Sequence, residues 1–109
     1  MAEDLTYYQT KAYQDALYEV SHYSFCDHEY SLSGPKENAV CIEKLDGIDK
    51  WLVYKYKDLA KRNVNVYDQY QKAALDFLKR LSPSVDLFIE YRTRFLSAFV
   101  NHTNIEHIK

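Results

Sequence analysis

The chain has 109 residues, 47% hydrophobic and 28% charged, with 14 basic against 16 acidic side chains and a net charge of -2. That length suits one domain with one core spanning residues 1–109, and the composition is neither that of a chain that stays disordered nor that of a membrane protein. Near-neutral charge excludes a positive field for gathering phosphates, so direct binding of nucleic acid is not expected.

The opening Met1-Ala2-Glu3-Asp4 is acidic where an export signal would be basic and then apolar, which predicts a cytoplasmic protein with Cys26 and Cys41 as reduced thiols. The most apolar stretch, Val85–Val100, is broken by Asp86, Glu90, Arg92 and Arg94, so no membrane association is expected.

From Glu3 to about Phe25 the apolar residues Leu5, Tyr8, Ala12, Ala16, Leu17 and Val20 recur at helical spacing, predicting a first amphipathic helix. Asp27–Asn38, with Ser31-Leu32-Ser33-Gly34-Pro35-Lys36 inside it, reads as a loop. Three strands are expected next, over Ala39–Leu45, Lys50–Tyr56 and Arg62–Tyr67, with a hairpin at Asp46-Gly47. A competing reading joins Ile42, Leu45, Ile48, Leu52, Tyr56 and Leu59 into one long helix of a four-helix bundle, although Gly47 inside it would cost about 1 kcal/mol. Asp-Gly and the density of Trp, Tyr and Val favour strands.

A second helix starts near Gln69 on the stripe Tyr70, Ala73, Ala74, Phe77, Leu78 and Leu81, with Asp68 and Gln71 as a capping box, and stops before Ser82-Pro83-Ser84. A third runs from about Pro83 to His102. Phe88, Tyr91, Phe95, Ala98 and Phe99 line one side and Val85, Ile89 and Leu96 another, a sector wide enough to be buried on two sides by the fold or by a second copy. The expected fold is α+β: an N-terminal helix, a three-stranded antiparallel meander and two C-terminal helices.

Catalytic chemistry has no visible seat. Gly34 and Gly47 alone cannot form a phosphate loop, and no nucleophile elbow or paired Cys-x-x-Cys clip occurs. His22, Cys26 and His28 are the one metal-like cluster, and they read more simply as a buried thiol near a helix end with two surface imidazoles. The basic run Lys55, Lys57, Lys61 and Arg62, interleaved with Tyr54 and Tyr56, could touch RNA, but a Lys-rich strand edge explains it as simply. No catalytic residue, cofactor or metal is expected.

Eleven tyrosines against one Trp and five Phe are the outstanding feature. Tyrosine pairs a rigid apolar surface with a polar tip, the combination binding surfaces use. Tyr8, Tyr70 and Tyr91 sit on helical stripes as core candidates. In the strands, period two groups Val40, Ile42, Trp51, Val53, Val64 and Val66 on one face and sends Leu52, Tyr54, Tyr56 and Tyr67 to the other. Either the third helix covers that second face or a partner does, and those four residues are the candidate partner interface. Tyr7, Tyr13 and Tyr18, off the main stripe of the first helix, are the alternative.

The segment from Glu37-Asn38-Ala39-Val40-Cys41-Ile42-Glu43-Lys44-Leu45-Asp46-Gly47 through Lys50-Trp51-Leu52-Val53-Tyr54 and Asn65-Val66-Tyr67-Asp68 to Ala73-Ala74-Leu75-Asp76-Phe77-Leu78 resembles small bacterial immunity proteins of toxin systems. Residues 37–81 are covered; Ile48-Asp49 after the turn and the long third helix depart from that pattern. The resemblance implies a non-enzymatic inhibitor that binds a cognate toxin, and it carries over no contact residues. A phage or mobile-element inhibitor of a nuclease fits the same composition. From other classes stand a small metal- or thiol-dependent enzyme and a homodimer through the C-terminal helix.

Overall fold

The computed structural model describes the backbone of residues 2–108 and the side chains of residues 9–103. Its elements are α1 (Ala2–Ser24), a single 3₁₀ turn (Asp27–Glu29), β1 (Tyr30–Ser31), β2 (Ala39–Lys44), β3 (Trp51–Lys57), β4 (Ala60–Tyr67), α2 (Tyr70–Leu81) and α3 (Val85–Ile108). The class is α+β as expected, but the sheet has four strands in the order β1-β2-β3-β4 and is mixed, because β1 runs parallel to β2. The meander itself, β2-β3-β4, is antiparallel.

The helices follow from their local chemistry. Ala12, Ala16, Leu17 and Val20 of α1 are buried as the stripe requires, while Leu5, Tyr7 and Tyr8 lie outside the residues whose side chains are described. Tyr70, Ala73, Ala74, Phe77 and Leu78 form the buried face of α2. The Asp68–Gln71 capping box is not formed: the cap position is Gln69, without a side-chain bond. Helix α3 begins two residues after Pro83, and Ser84 Oγ accepts the Leu87 N–H at 3.2 Å in its first turn.

Gly47, at φ +77°, turns the chain between β2 and β3, and the Leu45 N–H donates to the Lys50 carbonyl at 2.9 Å. Between β3 and β4 the turn is Asp58-Leu59, both left-handed at φ 55° and 61°, the twist a tight hairpin prefers. Neither residue is glycine, and the Glu37 carboxylate holds the turn by accepting the N–H groups of Asp58 at 2.7 Å and Leu59 at 3.3 Å.

All three helices lie on one face of the sheet. Their buried residues join Val40, Ile42, Trp51 and Val53 in the main core, centred on Phe77, Phe95 and Leu17. Helix α3 packs along α1, with Tyr13 stacked on Phe99 at 3.9 Å between ring centroids. Among the described residues one side of α3 is buried, at Phe95 and Ala98; Val85, Ile89 and Leu96 on its second side are exposed.

Candidate functional site

The face of the sheet turned away from the helices carries its own small cluster: Ala39, Cys41, Leu52 and Tyr54 are buried, with Leu45 and Tyr56 packed against them, and none of the described helical residues joins it. Helix α3 therefore does not cover this face. Three of the four predicted interface residues, Leu52, Tyr54 and Tyr56, do lie there together.

Tyr67 does not. The turn at Asp58-Leu59 pairs Lys57 with Ala60, a register that would place Val64 and Val66 opposite Val53 and Trp51 on the helix side. One extra residue in β4 breaks that register: Lys55 pairs with Arg62 but Val53 pairs with Asn65. Asn63, left-handed at φ 54°, sits at this bulge. Beyond it every side chain changes face, so Tyr67 pairs with Trp51 and faces the helices, and Val66 pairs with Leu52 on the open face. Val64 and Val66, expected on the same face as Val40, Ile42, Trp51 and Val53, lie on the other and are 43% and 52% exposed.

Tyr54 is fully buried, yet neither a helix nor a partner is needed to hide it. Its neighbours on the sheet surface do so: the Lys61 ammonium lies 5.0 Å from its ring centroid, and the Tyr56 ring meets it edge-on at 6.4 Å. Its hydroxyl donates to Glu43, whose carboxylate is 3.0 Å from Lys61 Nζ. Burial, then the bond to Glu43, push the Tyr54 hydroxyl far above the ordinary tyrosine range. Burial also raises Glu43, but the bonds from Tyr54 and Lys61 outweigh it and hold the carboxyl below its usual value. Burial likewise raises the Cys41 thiol. The triad is a neutralised, hydrogen-bonded island, and the surface around it that a partner can reach consists of Tyr56, Leu45, Val64, Val66 and part of Leu52.

On the other side of β4, Asp76 of α2 accepts hydrogen bonds from Tyr67 Oη at 2.7 Å, Asn65 Nδ2 at 2.9 Å and Arg80 Nε at 3.0 Å. Arg80 also donates to the Asn63 carbonyl at 2.6 Å. This network ties the bulge and the end of β4 to α2.

Elsewhere the chain gathers little chemistry. His22 stacks on Tyr18 at 5.9 Å, Cys26 begins the 3₁₀ turn and is exposed rather than buried, and among the described residues no group of three or more His, Cys, Asp or Glu side chains could hold a metal ion. The groove between α1 and α3, of about 290 Å³, is lined by Glu19, Tyr23, Ser24, Arg94 and Asn101 among others, without histidine or cysteine. Of the alternative tyrosines, Tyr13 is half-buried against α3 and Tyr18 is exposed. Among the described residues no helix is long and apolar enough to cross a membrane. In comparisons with known proteins, no family model, no characterised protein and no solved structure matches this chain.

Proposed function

We propose that this protein is a non-enzymatic binding inhibitor that docks another protein on the open face of its sheet, as an immunity protein docks a cognate toxin. One observation carries the reading: the described helical residues cover the sheet on one side, and its other side combines the half-buried Tyr56 and Leu45 with the exposed Val64 and Val66. Contiguous apolar area with a few polar groups is what a protein interface needs at its centre. The Glu43–Tyr54–Lys61 island satisfies its own polar groups, so covering it with a partner leaves no buried charge unpaired.

The test is affinity capture of the partner from the native host, then titration of the purified partner with the wild-type protein and with Tyr56→Ala. A loss of about 2 kcal/mol or more is expected if Tyr56 is a central anchor, with inhibition of the partner falling in step. Equal affinity for both, in a variant whose melting temperature is unchanged, refutes the face.

A further inference from the structure

Strand β4 ends the sheet, and among the described residues its outer edge pairs with no other strand. Which backbone groups point outward follows from the ladder. The Leu45–Lys50 bond makes that pair a hydrogen-bonded one, so with the register of β2 and β3 the backbone groups of Leu52 and Tyr54 face β2 and those of Trp51 and Val53 face β4. Their partners Tyr67 and Asn65 are thereby engaged, and the N–H and C=O groups of Val64 and Val66 point to the open edge.

The edge is guarded unevenly. Natural sheets blunt an open edge with charges and bulges. Here Lys61, Arg62 and the bulge at Asn63-Val64 guard the first half of β4, while Asn65–Tyr67 carries no charge, proline or bulge. That unguarded half is also the half anchored from beneath by Asp76 and Arg80. A strand held in place before binding loses little conformational freedom on binding.

Resting on the protein-binding reading above, we propose that the edge at Val64–Tyr67 takes an extended acidic segment of the partner protein as a fifth strand, its apolar residues over Val64 and Val66 and its carboxylates beside Lys61 and Arg62. Charge selects the occupant. Strands β3 and β4 carry Lys55, Lys57, Lys61 and Arg62 and no acidic residue, and the carboxylates nearby are already engaged: Glu43 by Tyr54 and Lys61, Glu37 by the turn amides, and Asp58 by Arg62 at 3.9 Å. A second copy of β4 brings two more cations to an edge whose nearby carboxylates are already engaged.

The probe is a labelled octapeptide of alternating valine and glutamate, with the valine–lysine peptide as control, read by fluorescence anisotropy and by amide NMR of the whole chain. The acidic peptide is expected to bind at least tenfold more tightly than the basic one and to shift and protect the Val64 and Val66 amides more than that of Asn65. Val66→Pro, which removes an outward N–H without breaking a ladder bond, is expected to weaken binding at least tenfold. Should that variant unfold, Val64→Lys serves in its place, with the same loss expected. Equal affinity for the two peptides overturns the proposal, as does binding that ignores both variants, or a homodimer in which the free protein already protects these amides. A native partner that is lost on Tyr56→Ala but binds Val66→Pro unchanged overturns the edge and keeps the face.

Discussion

Replacing Asp76 by alanine tests how β4 is held. The carboxylate and its Arg80 partner are only 14% and 18% exposed, and Asp76 is the shared acceptor for Asn65, Tyr67 and Arg80. Hydrogen bonds to a charged group contribute about 1.5–3 kcal/mol each, but bonds to one acceptor are not additive, and partial solvation of Arg80 lowers the cost of leaving it unpaired, so Asp76→Ala should lose about 2–4 kcal/mol. Urea unfolding followed through Trp51, the single tryptophan and the cross-strand neighbour of Tyr67, reads the loss directly. The pH dependence adds a second constraint. Burial pushes the Asp76 carboxyl up, but the bonds from Asn65, Arg80 and Tyr67 together hold it below the ordinary carboxylate value. A group more acidic when folded than unfolded stabilises fully above its unfolded pKa of about 3.9 and loses that contribution as pH falls through the folded value. The gap between wild type and Asp76→Ala should therefore be full at neutral pH and narrow below about pH 4. A loss under about 1 kcal/mol, or a gap that stays constant down to pH 2, refutes the view that Asp76 clamps the strand.

Phe95→Ala should cost about 3–5 kcal/mol in the same assay, since Phe95 is fully buried beside Tyr13; a cost below about 1 kcal/mol would mean that α3 does not seat as described. Tyr54→Ala should likewise lower stability by about 3–5 kcal/mol, whereas Tyr54→Phe, which keeps the ring under Lys61 and removes only the bond to Glu43, should cost roughly 1 kcal/mol; equal costs would deny the ring its structural role. Of the two thiols, exposed Cys26 should react with a disulfide reagent at least tenfold faster than buried Cys41, whose thiol burial raises; comparable rates in the folded protein would refute the placement of Cys41 beneath the outer face.

Whatever depends on local pattern was legible in the amino-acid order. The stripes of α1 and α2 and the Asp46-Gly47 turn are local signals, and each marks an element of the fold. Strand β1 was not, because its Tyr30 and Ser31 are ordered by pairing with Val40 and Cys41 across a loop and carry no period of their own. The open face was legible for Leu52, Tyr54 and Tyr56 and misread for β4. There the alternation Val64, Val66 is intact, and what it cannot show is the extra residue that moves it to the other face. Asn63 is the one available hint, since asparagine tolerates the left-handed backbone that a bulge requires. The turn Asp58-Leu59 hides for a related reason: its support, Glu37, comes from a distant loop.

The pairing of α1 with α3 sets an order of events during synthesis. Glu19 and His102 meet at 3.2 Å although 83 positions separate them, and Tyr13 waits for Phe99. At about 5–20 residues per second, the ribosome delivers α3 several seconds after α1 has emerged. The β2-β3-β4 hairpins, which form on a scale of microseconds, are ready long before. During that interval the row Ala16, Leu17 and Val20 lacks the cover that α3 supplies in the folded protein.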